Sequence, residues 1–304
     1  MRIFITGASG YIGAAVAAAL ARAGHEVLGL VRSESRGHRG AMSEVRPVTG
    51  SLEEPREWLE AARESEVLIH CAAEYSARMA ELDGRAVDAL LDAARSTGLP
   101  RLVVYTSGCW LYGDTGGAAV NESSQLKPFG MVKWRVAHEE RILQADGGAV
   151  RTLLLRPGCV YGGRGSLTAA WFETAAKNGA ARVVGDGRAR WTMVHLEDLA
   201  QAYVLAVESP WRREIFNVSD RSRFTTGECA EAASRAAGAG GKVQTVPVED
   251  ALKEMGPFAE ALAADQHVDA SKAVRMLGWQ PRHGGFVDGV DRYYLAWKTW
   301  SERG

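Results

Sequence analysis

The sequence predicts an α/β fold: a Rossmann-type, doubly wound parallel sheet followed by a smaller, mostly helical C-terminal domain. Three observations lead there. Short apolar runs alternate with amphipathic segments through the N-terminal half, as parallel strands joined by crossover helices require. A G-x-x-G-x-x-G pattern, Gly7, Gly10 and Gly13, sits between the first apolar run and the first helical segment. The alternation weakens after Gly162, and helical patterns dominate from about Arg221.

RIFIT is the first strand, and YIGAAVAAALARAG is a helix built from strong helix formers and closed by Gly24. EVLGLVR is the second strand, and a third short strand precedes VTGSLEE. PREWLEAARES reads as a helix, EVLIHCAA as a strand, RAVDALLDAARSTG as a helix ending at Gly98, and RLVVYTS as a strand. VKWRVAHEERILQA then reads as a helix, which would put Phe129 and Lys133 on one face, and VRTLLLRPG as a strand. Beyond these come helical LTAAWFETAAKNG, strand-like RWTMVH, helical LEDLAQAYVLAVE, strand EIFNVS and the short extended KVQTVPV. The expected division is a dinucleotide-binding domain over 1–162 and 190–220, and a substrate domain over 163–189 and 221–304. In FVDGVDRYYLAWKTW, Phe286, Val290, Tyr294 and Trp297 recur at helical spacing, which predicts a packing face.

The 304 residues carry 36 Lys and Arg against 37 Asp and Glu, a net charge of -1, so no bulk positive field would draw nucleic acid or an anionic membrane. Cys71, Cys109, Cys159 and Cys229 lie far apart with no C-x-x-C spacing, which predicts reduced, packed thiols and no metal site. No apolar run reaches membrane-spanning length, and the chain opens on a strand, so the expected location is cytoplasmic. The sequence sets no oligomeric state.

The glycine pattern has a physical reading. Gly7 allows a sharp turn, Gly10 lets backbone approach a pyrophosphate, and Gly13 lets the helix pack against the sheet. Ser9, Tyr11 and Ile12 complete the loop and the open helix end, whose N–H groups suit an anion. Arg32 follows Gly13 by 19 residues, with Ser33, Arg36 and Arg39 behind it, where a 2′-phosphate would be met. That favours NADP (NADPH) over NAD, with Glu34 as the counter-signal and NAD still open. Ser51 and Leu52 are placed to touch the adenine, and the small Cys71, Ala72 and Ala73 end the fourth strand where a dinucleotide would cross. His70, inside that apolar strand, is expected to be a core histidine.

TGASGYIG, VLIHCAA, VVYTSGCWLYG, LRPGCVYG, WTMVHLEDLA and DASKAVRMLGWQP together resemble the extended short-chain dehydrogenase/reductase family over almost the whole chain. The resemblance implies a bound nicotinamide dinucleotide, whose track would also take in Thr106, Lys133, Pro157 and Val160. It implies a hydroxyl after the fifth strand and a Tyr-x-x-x-Lys motif as the reacting groups. Here the set is broken. In KPFGMVK, Phe129 stands at the tyrosine and Lys133 at the lysine, while Gly108 takes the hydroxyl position with Ser107 one residue before it. Lys133 would hold the ribose and add positive charge near the nicotinamide. Tyr75 and Ser107 are the candidate side chains for a proton source.

A hydroxyl beside the carbonyl on the substrate itself would fill the gap, and a missing general acid otherwise costs about 10²–10⁴-fold. Tyr75, Trp110, Leu111, Phe129, Trp191 and Met193 are expected to give an apolar substrate pocket. In its TSG and tyrosine-less motif the chain looks like atypical polyketide-tailoring ketoreductases. That implies NADPH-dependent reduction of a polycyclic aromatic, angucyclinone-like ketone in antibiotic biosynthesis. The competing readings are a nucleotide-sugar epimerase or dehydratase, which would need the base Phe129 removes, and a non-catalytic NADP-binding sensor. His195 and Asp198 are expected to be structural, at a strand-to-helix junction.

Overall fold

Strand β1 (Arg2–Thr6) is buried along its last four residues, because it lies inside a sheet whose two faces are both covered. It pairs in parallel with β2 (Glu26–Val31) and β4 (Val67–His70). In this computed structural model, which describes residues 1–32 and 44–302, β3 (Arg46–Thr49), β5 (Arg101–Thr106), β7 (Val150–Pro157) and β11 (Glu214–Val218) complete a seven-stranded sheet. Its order is β11-β7-β5-β4-β1-β2-β3, and every pair is parallel. The order turns at β1 and β4, so their carboxyl ends open a crevice where ligands of such sheets lie.

The period-2 rule divides the strand residues between two cores. Ile3, Ile5, Val67, Ile69, Val104 and Leu155 face helix α1 (Tyr11–Arg22) and, further on, α6 (Leu196–Glu208). Phe4, Leu68, Val103, Tyr105 and Leu154 face α2 (Leu59–Arg63), α3 (Met79–Arg95) and α4 (Arg135–Gln144).

After β7 the chain makes its excursion. A three-residue strand, β8 (Cys159–Tyr161), pairs with β10 (Met193–His195), and between them lie α5 (Ala169–Asn178) and β9 (Ala181–Val184). The C-terminal part adds α7 (Thr226–Ala236), β12 (Val243–Val246), α8 (Val248–Met255), α9 (Phe258–Ala263), α10 (Ser271–Leu277) and α11 (Val290–Ser301). Strand β12 joins β9, and β13 (His267–Val268) joins β6 (Ala119–Val120), so this part is stitched to earlier segments. A third core forms around Tyr161, Trp171, Phe172, Met193 and Phe286, with Val290, Tyr294 and Trp297 packed on it, which is the expected packing face.

Three helices differ from the sequence reading, the first being PREWLEAARES, which forms a 3-10 turn over Pro55–Glu57 and then the five-residue α2. Helix α3 begins at Met79, ahead of the expected Arg85. Helix α4 begins only at Arg135. Phe129 is extended (φ −57°, ψ 145°), and a tight 3-10 turn over Gly130–Val132 leads to Lys133. Gly130, a poor helix former, sits where a regular first turn would need to hold. Phe129 and Lys133 therefore do not share a face of one α-helix.

Candidate functional site

The loop between β1 and α1 is shaped by close approach. Gly7 has φ +73°, and a Cβ there would stand 2.7 Å from the Ala72 backbone. A Cβ on Gly13 would meet the Gly7 carbonyl oxygen at 2.2 Å. Gly10 donates its N–H to Gly7 O at 2.8 Å and, with an extended backbone, caps α1 without a side chain. No acid occupies the first turn of α1, so its free N–H groups face outward uncompensated. This cradle fits the pyrophosphate of a dinucleotide. Tyr11 folds over it and donates its hydroxyl to Gly162 O at 2.7 Å.

The strand ends beneath are tied by buried polar groups. Asp83, on α3, accepts from Tyr105 OH at 2.9 Å and lies 2.7 Å from His138 Nδ1 and 3.2 Å from His70 Nε2. Burial works against its charge, but His70 and His138 hold the carboxyl well below its ordinary range. An ionised Asp83 only accepts, which fixes the His70 proton on Nε2 and turns Nδ1 to Thr6 Oγ1, 2.6 Å away. A second cluster joins Thr106 Oγ1 to Tyr203 OH (2.6 Å) and Cys71 Sγ (3.2 Å), and burial pushes the Cys71 thiol up to about 11. His70 is thus a core histidine. Asp83, Tyr105, His138 and Tyr203 escaped the sequence reading, because nothing local in a helix or strand marks a residue that pairs across the sheet.

At the carboxyl end of β5, Ser107 is 7% exposed and its hydroxyl has no hydrogen-bond partner among the described residues. Its N–H is held by Leu155 O at 2.8 Å. A buried hydroxyl without a partner is costly, and this one lies at the carboxyl end of the strand next to β4. Gly108 is extended (φ −177°), and a Cβ there would meet only Pro157 O, at 3.9 Å. Phe129 stands edge-on to Trp110 with ring centroids 6.5 Å apart, and Trp110 stands edge-on to Phe258 of α9 at 5.9 Å. Lys133 is exposed and forms no ion pair among the described residues. Just beyond it, Arg135 donates to Thr106 O at 2.9 Å, fixing the start of α4 to the end of β5.

The remaining candidates fall in different places. Tyr75 is 89% exposed on the loop after β4. Leu111 and Met193 are 0% and 3% exposed, so both are core residues in place of the expected pocket walls. Strand alternation turns Met193 inward among Tyr161, Trp171 and Phe286, and a tight turn over Cys109–Tyr112 folds Leu111 under. Trp191 stacks on Trp171 at 5.0 Å and donates to Leu262 O at 3.0 Å. Ser51 accepts at its carbonyl from Trp58 Nε1 (2.8 Å), and Leu52 packs on the core around Phe4. Pro157 and Val160 are buried at and just past the end of β7. Arg32 is exposed and pairs with Glu74 at 3.6 Å. Ser33, Glu34, Arg36 and Arg39 lie outside the described residues.

A cavity of about 430 Å³ opens beside Trp191, between the segment after β11 and strand β13. Arg190, Arg221, Arg223 and Arg275 line it, and none of them forms an ion pair among the described residues. Its wall includes Asp220, whose carboxyl burial pushes upward.

His195, Glu197 and His283 bring potential ligand atoms within 4.8 Å of one another. Yet His195 Nδ1 already accepts from Glu197 N–H at 3.2 Å, and the two imidazoles stack face to face at 3.5 Å. The cluster caps α6 and packs it. Asp198 accepts from the N–H groups of Arg282 and His283, both at 3.0 Å, so both residues serve the junction as expected. All four cysteines are free thiols. Among the described residues no helix is long and apolar enough to cross a membrane.

Comparison with known proteins gives a consistent picture. The NAD dependent epimerase/dehydratase family matches residues 3–219. The chain is 28% identical to the uncharacterized protein C2A9.02 of Schizosaccharomyces pombe, over 97% of this chain and 100% of that one. It is 29% identical to a 4-hydroxy-2-methyl-3-oxo-4-farnesyl-3,4-dihydroquinoline-1-oxide ketoreductase of Stigmatella aurantiaca, over 72% of this chain and 68% of that one. Among solved structures, a double mutant of the dTDP-glucose 4,6-dehydratase of Streptomyces venezuelae, with NAD and DAU bound, shares the fold. Its TM-score is 0.83 at 21% identity, covering 100% of this chain and 99% of that one.

Proposed function

This chain belongs to the NAD dependent epimerase/dehydratase family, and from that premise we propose that it is an NADPH-dependent ketoreductase for an aromatic ketone whose own hydroxyl provides the proton and regains one from water. The observation that carries this reading is the joint presence of an intact dinucleotide cradle and an apolar ring, Phe129, where the family places a phenol. A bound nicotinamide dinucleotide supplies hydride. Gly7, Gly10 and Gly13 fit its pyrophosphate, and Arg32, with Ser33 and Arg36, favours the phosphorylated form.

The chain's own groups then orient and shield. Trp110 and Phe129 offer ring faces to a flat substrate, and Lys133 lends positive charge where oxygen becomes anionic. Ser107, at the carboxyl end of β5, is the nearest hydroxyl in sequence to the family's position and would serve as a hydrogen-bond donor. Segments 163–189 and 221–304 would form the opposite wall. The Stigmatella relative supports the reading by name, since its substrate carries a 4-hydroxyl beside a 3-oxo group on a dihydroquinoline. The finer resemblance, to the angucyclinone ketoreductase of simocyclinone biosynthesis, belongs to this proposal and would place the chain in antibiotic tailoring.

The test is NADPH consumption with an aromatic ketone bearing a neighbouring hydroxyl, against the same ketone with that hydroxyl methylated. The free hydroxyl should react faster by about 10²-fold or more, the scale of a missing general acid. Equal rates would sink the reading.

One observation favours a second reading. The four arginines around the cavity beside Trp191 suit a diphosphate, so a nucleotide-sugar substrate is the competitor. Turnover of a UDP- or dTDP-sugar, lost in Arg221→Ala, would favour it. Cofactor binding without consumption of any ketone would instead point to a sensor.

A further inference from the structure

We propose that Arg164 is a cofactor-binding residue: its guanidinium closes over the dinucleotide pyrophosphate at the amino end of α1, held in place by Tyr11 and Trp300. This rests on the dinucleotide reading above. The guanidinium lies 6.0 Å from the Tyr11 ring centroid and 5.8 Å from that of Trp300. Tyr11 is the first residue of α1, and Trp300 comes from the last turns of α11. Two aromatic faces thus orient one planar cation.

The turn that carries Arg164 is built for this. Gly162, Gly163 and Gly165 surround it with φ of +96°, +56° and +78°. A Cβ on Gly162 would stand 2.5 Å from His195 Nε2, and one on Gly165 would stand 2.9 Å from Ala169 Cβ. Gly165 N–H closes the turn on Gly162 O at 3.0 Å, and Tyr11 OH ties that same carbonyl to the phosphate loop. The tip of the turn has one long side chain, and it is a cation.

Charge completes the case. Arg164 forms no ion pair or hydrogen bond among the described residues, and the first turn of α1 holds no acid. A cation near the positive end of a helix gains from an anion lying between the two. The pyrophosphate that the glycine loop fits is that anion. A charge-assisted contact of this kind, when lost, weakens binding by about ten- to a hundredfold.

The experiment is calorimetric titration of the intact chain with ADP-ribose, which carries the pyrophosphate but no nicotinamide and no 2′-phosphate. Arg164→Ala should raise the ADP-ribose Kd by at least about tenfold, and Arg164→Lys, which keeps charge but not the planar fork, should fall between. The unliganded melting temperature of each variant shows whether it folds. Binding should also quench tryptophan emission less in Trp300→Phe than in the parent chain. Unchanged ADP-ribose affinity in a folded Arg164→Ala overturns the proposal, and so does a loss seen with NADPH but not with ADP-ribose. If the parent chain itself fails to bind ADP-ribose, the dinucleotide reading falls, and this inference with it.

Discussion

Phe129 meets Trp110 edge to face, centroids 6.5 Å apart and ring planes at 85°, and both rings are half-buried. On the proposed reading, Phe129 stands where a family member's phenol would deliver a proton. Phe129→Tyr should therefore raise turnover by less than about tenfold if the substrate brings its own proton. A gain near a hundredfold in steady-state rate would show that the protein was waiting for a general acid.

Lys133→Ala tests the retained half of the motif. The side chain is exposed and unpaired among the described residues, so its removal should leave the melting temperature within about 1 °C. It should lower kcat/KM by about tenfold or more through lost charge near the developing oxyanion. Intact kcat/KM would make Lys133 an ordinary surface lysine.

The glycines divide by what a Cβ would meet. Gly13→Ala drives a Cβ into the Gly7 carbonyl, where 2.2 Å separates them, and backbone cannot yield as a side-chain tip can. A loss of about 1–3 kcal/mol, with dinucleotide binding weakened, is expected in denaturant titration. Gly108→Ser has an extended backbone and its nearest neighbour at 3.9 Å, so it should fold with unchanged stability. It returns a hydroxyl to the family's position, and a rise in ketone turnover would show that position to face the reacting oxygen.

The pH dependence of stability should carry a His195 signature. Burial first, and the stacked His283 next, lower its value from 6.5 to about 4. The unfolded chain thus binds the proton more readily than the folded one, and stability rises with pH between these values. The contribution is whole above about pH 6.5 and is lost as pH falls through about 4. Melting curves of His195→Asn should show a shallower fall over that window than the parent chain. A parallel pair of curves would refute the assignment.

The sheet was legible because continuous apolar runs such as RIFIT and VLIH face cores on both sides, and because the glycine loop has one geometry. The parallel order follows from the alternation of strands with helices. The site was legible only where a local motif marks it. Leu111 and Met193 read as pocket residues, since an apolar side chain looks the same facing a ligand or a core. The start of α4 moved because Gly130 weakens its first turn, which displaced Phe129 from the helix. Asp83 and the arginines around the cavity were invisible, since their partners lie far off in sequence. Arg164 stood in plain view within YGGRGS, but its meaning depends on Tyr11 and Trp300 being brought to it.

Arg156 and Glu139 form an ion pair at the end of β7, both side chains 3% exposed, with Arg156 Nε donating to Glu139 Oε1 at 2.8 Å. Arg156 also donates to Tyr112 OH at 2.8 Å, and Tyr112 passes its proton bond to Asn217 Oδ1 at 2.8 Å. The pair thus anchors α4, on which Glu139 sits, to the strand beside the crevice. Glu139→Leu leaves a buried guanidinium without its counter-charge, a loss of about 3–5 kcal/mol. At this chain length that lowers the melting temperature by roughly 10 °C. Arg156→Met added to Glu139→Leu removes the stranded charge, so the double variant should melt higher than Glu139→Leu alone. A double variant that melts lower still would show the two side chains acting independently, with no shared ion pair to lose.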